Sequence, residues 1–176
     1  MVNWRELEQS SAIDKVQPTE ELKQEFIKRT KKHIELVNKY AAKLGKSYPN
    51  HDKSKLDTLL DGYCFYCKPK EERTPEEQEV LDIVTLIHIK NAPHHAEYWT
   101  DTALDGFTRA NYTPNGIVDV QHMPPECVEE MVCDWKATAE EKGNTATEWF
   151  KSVNGTRWLF TPEQQTQIRN ILSILE

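Results

Sequence analysis

The feature that most constrains the fold of this 176-residue chain is a stripe of residues that repeats at intervals of four and three positions. Between Thr19 and Leu44 the stripe consists of Phe26, Thr30, His33, Val37, Tyr40 and Leu44. This spacing places side chains on one face of an α-helix, whereas a half-buried strand alternates at every second residue. The segment is therefore predicted to be a long helix with one inward face, and Gly45 is expected to end it.

Helix start signals recur along the rest of the chain. Thr74-Pro75-Glu76-Glu77 combines an N-cap, a proline at the first helical position and an acid three residues after the cap. The helix that begins there is predicted to run to about Lys90, because Pro93 cannot continue it. Further helices are predicted near residues 51–63, 124–143, 145–152 and 161–176.

The segment from Thr100 to Met123 interrupts this helical pattern. It holds glycine, proline and asparagine with short apolar pieces, so a long loop is predicted, with one brief extended piece near Ile117-Val118. The length of the chain suits a single domain over residues 1–176, with residues 1–17 as an irregular N-terminal arm. The expected fold is all-α, a compact bundle of about five to seven helices with one long loop.

Charge and composition exclude several classes of partner. The 29 acidic residues outnumber the 22 basic ones, giving a formal charge of −7, so no strong binding to duplex nucleic acid or to an anionic membrane is expected. No apolar run approaches 18 residues, and a cytoplasmic protein is predicted. The four cysteines are expected to be reduced, and the basic cluster around Thr30 (Lys28, Arg29, Lys31, Lys32) is interpreted as solvated surface.

Two of the six histidines lie on predicted inward helix faces. His33 is four residues before Val37 on the first stripe, and His88 lies four residues after Val84 on the third helix. A single histidine in a core is commonly just hydrogen-bonded. Two inward histidines on separate helices favour a shared site.

The remaining candidates supply a mixture of nitrogen and oxygen ligands. His51-Asp52 stands beside a predicted helix start, where Asp52 is also an N-cap candidate. His94-His95 follows the proline break, and Asp134 lies on a predicted inward helix face, where an unpaired charge is costly. Such donors suit Fe, Mn, Zn or Co rather than calcium.

The order of these residues resembles the H…HD…H…H…D pattern of the HD-domain superfamily, whose members are largely metal-dependent phosphohydrolases. Three local strings, HDKSK at 51–55, NAPHHAEYW at 91–99 and EMVCDW at 130–135, are similar to a small, poorly characterised HD-like family of phages and bacteria. The resemblance spans roughly residues 19–150.

The resemblance implies one divalent transition metal, or two, in a helical bundle. It places the first ion on His33, His51, Asp52 and Asp134. It makes Asp52 a bridge to a second ion, which would be held by His88 and by either His94 or His95. His88 and His94 are only six residues apart, closer than is usual in dinuclear members, so the number of ions stays open.

The implied activity is hydrolysis of a small phosphorylated substrate, such as a nucleotide, by metal-activated water. Lys55 is the candidate to bind a phosphate oxygen, and Glu97 is the candidate to orient a histidine or to act as a general acid. The plainer interpretations are a surface lysine and a solvent-facing glutamate. Two other functional classes remain: an HD-fold di-iron oxygenase, and a non-catalytic binding protein stabilised by metal. The sequence does not predict an oligomeric state.

Overall fold

A long first helix organises the structure. The computed structural model describes residues 16–176, so the predicted N-terminal arm lies, over residues 1–15, outside the described residues. Helix α1, Glu20–Lys43, begins after Thr19, whose side chain accepts a hydrogen bond from Leu22 N. The predicted stripe is its inner face, because the buried residues are Phe26, Thr30, Val37, Tyr40 and Ala41.

Six further α-helices follow within residues 16–176. They are α2 (Lys53–Leu56), α3 (Leu60–Tyr63), α4 (Pro75–Asn91), α5 (Pro125–Lys142), α6 (Ala146–Val153) and α7 (Pro162–Leu175). Short 3₁₀ helices cover Cys64–Cys67, Lys70–Glu72 and Ala96–Trp99. The all-α class and the expected number of helices are confirmed.

The start signals read from the sequence are realised in the structure. Thr74 and Glu77 form a complete capping box at the start of α4, and Thr161 and Gln164 form another at the start of α7. Each box satisfies two backbone N–H groups that a helix start otherwise leaves unpaired. Helix α5 ends as predicted, because Gly143 at its C-terminus adopts the left-handed conformation, with φ of 70°.

The continuous helix predicted over residues 51–63 is wrong. The structure breaks it into α2 and α3, with Asp57 between them at φ −105° and ψ −96°. The segment also begins with Asp52 in the left-handed region at φ 55°, where no other non-glycine residue within 16–176 lies. A residue in that conformation cannot belong to a right-handed helix, so His51 and Asp52 form a turn instead.

The predicted long loop is present and contains the brief extended piece. Strand β1, Val118–Asp119, pairs in parallel with β2, Trp158–Leu159. The expectation of an extended piece near Ile117-Val118 is confirmed. Its partner β2 was not predicted, because two residues carry no periodic signal.

Two apolar clusters meet along α1. One, between α1, α5 and α7, includes Val37, Met131 and Ile168, and the other, between α1, α3 and α4, includes Phe26 and Leu81. Helix α1 contributes residues to both clusters and therefore runs along the boundary between them, with α4 on the side of one cluster and α5 on the side of the other.

Helix α3 lies directly against α4 at Gly62. A Cβ at this position would meet Val84 Cγ1 at 2.5 Å, so a residue without a side chain is required for this close approach. The contact positions the following residue, Tyr63, with its ring edge-on to His88 at 5.8 Å between centroids.

The described residues agree with two further expectations. The cysteines at 64, 67, 127 and 133 are free. Among the helices of residues 16–176, none has both the length and the apolar character of a membrane-crossing segment.

Candidate metal centre

Asp52 lies at the centre of the polar cluster between α1, α4 and α5. Asp52 is 4% exposed and occupies the N-cap position of α2, but its side chain makes no capping hydrogen bond to the helix. The left-handed backbone costs free energy in a residue other than glycine, although aspartate tolerates it better than most. Such strain is concentrated at functional sites.

One oxygen of Asp52 faces a first group of ligands. Asp52 Oδ2 lies 3.8 Å from His51 Nε2 and 3.9 Å from His33 Nε2. His33 Nε2 is in turn 3.0 Å from Asp134 Oδ1. Within the group of His33, His51 and Asp134, one ligand atom from each residue lies within 4.8 Å of the others.

The other oxygen of Asp52 faces a second group. Asp52 Oδ1 lies 3.0 Å from His88 Nε2 and 3.6 Å from His94 Nε2. His95 belongs to the same group, so the structure brings both histidines of the pair to the site instead of selecting one.

A tight turn allows His88 and His94 to reach the same ligand group although they are only six residues apart. Helix α4 ends at Asn91, and the His95 N–H donates to the carbonyl of Ala92 at 2.9 Å. The turn returns the chain towards α4, where the ring of His95 packs against that of His88 with centroids 4.9 Å apart.

The buried donor atoms of this cluster fit a metal centre. Within the described residues, Nε2 of His51, His88, His94 and His95 and Oδ1 of Asp52 are buried and make no hydrogen bond of good geometry, although His88 Nε2 and Asp52 Oδ1 are only 3.0 Å apart. Leaving so many polar atoms unpaired in one place is costly, and buried groups of this kind normally have partners. Imidazole nitrogens and carboxylate oxygens together suit Zn, Fe, Mn or Co. Two groups of residues could therefore each hold an ion, with the carboxylate of Asp52 between them.

Glu130 supports two of the histidines from outside the cluster. Its Oε1 lies 2.9 Å from His51 Nδ1 and 3.4 Å from His94 Nδ1. A carboxylate at Nδ1 holds the proton on that nitrogen and leaves Nε2 free to act as a ligand. Although His51, His94 and Glu130 also have the spacing of a metal group, these Nδ1 contacts make Glu130 a supporting residue.

Two other histidines have equivalent support. Glu141 Oε2 lies 3.1 Å from His33 Nδ1, and Ser54 Oγ lies 3.0 Å from His88 Nδ1. Sequence reasoning missed both glutamates, yet a signal was present. Glu130 and Glu141 lie four residues before and seven residues after Asp134, which places all three on one face of α5.

Charge and burial set the protonation states of the second group. Burial and the nearby positive charge of Lys55 together lower the pKa of His88 to about 3, although the contact with Asp52 opposes this shift. Burial likewise lowers the pKa of His95 well below its usual range. Both imidazoles are therefore neutral at pH 7, which is the form that binds a metal ion.

The first group is arranged around ionised carboxylates. Burial alone would raise the pKa of Asp134, but its hydrogen bond and ion pair with His33 lower it below its usual range. Burial lowers the pKa of His33, but hydrogen bonds to Asp134 and Glu141 outweigh this and raise it to about 10. Without an ion His33 is therefore a cation, and it must release a proton when it binds one.

Lys55 lies inside the site. Its Nζ donates to Asp52 Oδ2 at 2.7 Å and sits 5.4 Å from the centre of the Tyr63 ring. Burial opposes its charge, but the carboxylate of Asp52 raises the pKa of Lys55 above its usual value. The interpretation of Lys55 as a surface lysine is wrong, and a cation faces the cavity.

The expected role of Glu97 needs correction. Its side chain is fully buried, so it is not a solvent-facing residue, and its Oε1 accepts hydrogen bonds from Arg157 Nη2 at 2.9 Å and Trp158 Nε1 at 3.0 Å. No histidine within residues 16–176 donates to it. The 3₁₀ helix Ala96–Trp99 turns the carboxylate towards β2, where it neutralises Arg157, and the supporting role falls to Glu130 and Glu141.

A cavity of about 340 Å³ opens onto the cluster. Its inner wall includes His33, Asp52, Lys55, His88, His95 and Asp134. The remainder of the lining includes Glu141 and several small residues together with cationic and aromatic side chains, among them Arg29, Arg109, Lys142, Tyr66 and Trp149. Arg29 is exposed, as expected for its basic cluster, and it reaches the edge of this cavity from a position four residues before His33 on α1.

We expect Glu130→Gln to weaken metal binding by roughly 10- to 100-fold, because the amide no longer favours the ligand tautomers of His51 and His94. Competition with a chromophoric chelator measures the affinity. Glu126→Gln is the matched control, since Glu126 lies one helical turn earlier on α5 and is exposed. Equal affinity in all three proteins would contradict the supporting role of Glu130.

The fold and the site together define an all-α protein with a buried histidine and aspartate cluster that could hold metal ions. The model of a family of unknown function (DUF5662) matches residues 22–174, and the chain belongs to this family. The comparison with curated proteins and the comparison with solved structures gave no match.

Proposed function

We propose that the protein is a metal-dependent phosphohydrolase of the HD type, with a dinuclear centre that acts on a nucleotide or another small phosphoester. The observation that carries the proposal is the position of the Asp52 carboxylate. Its Oδ2 faces His33 and His51, and its Oδ1 faces His88 and His94, as expected of a bridge between two ions.

The residues around the bridge divide into ligands and supports. His33, His51, Asp52 and Asp134 would hold one ion, and Asp52, His88, His94 and His95 the other. When bound, such ions polarise a phosphoryl oxygen and lower the pKa of water towards 7. The surrounding carboxylates keep the imidazoles oriented, and the apolar packing of α1, α4 and α5 limits the access of bulk water.

The charged residues that line the cavity support the proposal of a phosphorylated substrate. Although the whole chain is acidic, the side chains facing this cavity include Lys55, Arg29 and Arg109. Cations in a partly enclosed space attract an anionic ligand more strongly than isolated surface charges do. Trp149, which is 39% exposed, offers a ring surface on which a planar group such as a nucleobase can stack.

We expect Lys55→Met to lower kcat/KM for a phosphoester by roughly 10- to 100-fold, because the substrate loses a charge-assisted hydrogen bond. The metal content should stay at the parent value, since Lys55 is not a ligand. Lys53→Met is the control, because Lys53 is exposed and only two residues away. A parallel loss in both variants would point to a general effect of charge.

Phosphate release from a panel of nucleotides and simple phosphomonoesters tests the proposal directly. The parent and Asp52→Asn proteins are each incubated with Mn²⁺, Fe²⁺, Co²⁺ or Zn²⁺ before the assay. Phosphate release by the parent alone supports the proposal. Oxygen consumption by the iron-loaded protein without phosphate release would favour the oxygenase alternative, and metal binding with neither activity would favour a non-catalytic protein.

A further inference from the structure

Two arginines of the cavity take no part in the metal cluster. Arg29 lies on α1 with its Cζ 4.5 Å from the centre of the Tyr66 ring, and Arg109 comes from the long loop with its Cζ 4.9 Å from the same centre. Both line the cavity that opens onto Asp52. Two cations from distant parts of the chain thus gather around one tyrosine.

These guanidinium groups are not neutralised by the protein around them. Arg109 Nη1 donates to the neutral hydroxyl of Thr85 at 3.1 Å, and its backbone N–H donates to Asp82 Oδ1 at 2.9 Å, but neither guanidinium group forms a salt bridge to a carboxylate within residues 16–176. Arg157, also in the cavity wall, is different because Glu97 pairs with it at 2.9 Å. Unpaired arginines in a cavity retain their capacity to bind an oxyanion through two parallel hydrogen bonds.

Positions along α1 and α4 relate these cations to the metal ligands. Arg29 precedes His33 by four residues, about 6 Å along α1, and Thr85, the partner of Arg109, precedes His88 by three residues, about 4.5 Å along α4. Both arginines therefore lie about one helical turn from a histidine of the cluster. An anionic group bound there would share the cavity with a phosphoryl group at Asp52.

We infer that Arg29 and Arg109 form a second anion-binding subsite, so that the substrate carries a second phosphoryl or carboxylate group next to the one that reacts. The inference rests on the proposed function and makes it more specific. A simple phosphomonoester fills only the position at the metal cluster. A diphosphate or a phosphoryl carboxylate fills both positions.

The test compares three non-hydrolysable probes by titration calorimetry of the metal-loaded protein. Methylphosphonate carries one anionic group, methylenediphosphonate carries two phosphoryl groups, and phosphonoacetate carries one phosphoryl and one carboxylate group. At least one of the two-headed probes should bind on the order of tenfold more tightly than methylphosphonate. Which of them does so identifies the chemistry of the second group. Metal analysis of the same samples excludes extraction of the ions by a probe.

Substitution of the arginines then tests whether they cause the extra affinity for the two-headed probes. Arg29→Gln and Arg109→Gln should each remove most of the extra affinity and leave methylphosphonate binding unchanged. Lys31→Gln, an equal loss of charge on the same helix, should change neither. Thermal unfolding of each variant confirms its folding, and Arg109→Lys replaces Arg109→Gln if the latter fails to fold.

The outcomes separate the subsite from the activity. Equal affinity for all three probes, or a loss of affinity for methylphosphonate as well in the arginine variants, would overturn the subsite, even if phosphoesters are hydrolysed. Arginine-dependent binding of a two-headed probe by a protein that hydrolyses no phosphoester would uphold the subsite and count against the proposed function.

Discussion

Asp52→Asn is expected to abolish binding of both ions, taking the metal content from about two equivalents towards zero and weakening affinity by roughly 100-fold or more. The reason is geometric, because one carboxylate faces both groups of histidines. Asparagine keeps the shape of the side chain and tolerates the left-handed backbone at φ 55°, so the loss of charge is the main change. Plasma mass spectrometry of the purified protein measures the result.

Asp57→Asn is the matched control for this variant. Asp57 is an exposed aspartate five residues further along the chain, and its substitution should leave the metal content at the parent value. If Asp52→Asn instead keeps one equivalent at the parent affinity, the two groups bind independently and Asp52 is not a bridge. A parent protein that stays free of metal after reconstitution would contradict the metal centre altogether.

Removal of metal with a chelator is expected to lower the Tm by on the order of 10 °C. A ligand present at a thousand times its Kd stabilises the folded state by about 4 kcal/mol, and for a chain of this size 1 kcal/mol corresponds to about 2–4 °C. The structural cause is the set of buried imidazole nitrogens that have no hydrogen-bond partner within the described residues. Differential scanning calorimetry with and without the chelator measures the change.

The Asp52→Asn protein provides the control for the chelation experiment. Because it should hold no metal, its Tm should not respond to the chelator. A response equal to that of the parent would mean that the chelator acts elsewhere on the chain. An unchanged Tm in a parent protein shown to have lost its ions would mean that the cluster is stable without them.

Local signals predicted most of the helices. Successive residues of the stripe on α1 are about one helical turn apart, and each capping box, at Thr74 and at Thr161, spans four residues, so these signals are local in the sequence. The helix predicted over residues 51–63 is wrong because local signals were not sufficient there. The apolar residues of this segment fit a helix, but the left-handed turn at Asp52 depends on surroundings that come from α1, α4 and α5.

The candidate site, like the fold, was predicted in part from the sequence. The sequence alone determined which residues are candidate ligands, because inward helix positions and the paired residues His51-Asp52 and His94-His95 can be read from periodicity and order. It also pointed to Lys55, three residues after Asp52 and bonded to it in the structure.

Only the tertiary structure decided how these residues are supported. Glu141 reaches His33 across 108 positions of sequence, and Glu130 reaches His51 across 79. Glu97 follows the histidine pair closely in sequence, but it accepts hydrogen bonds from Arg157 and Trp158, which lie about 60 residues later in the chain. Such pairings depend on which helix faces touch after packing, and a one-dimensional pattern specifies the face of a helix but not its neighbour.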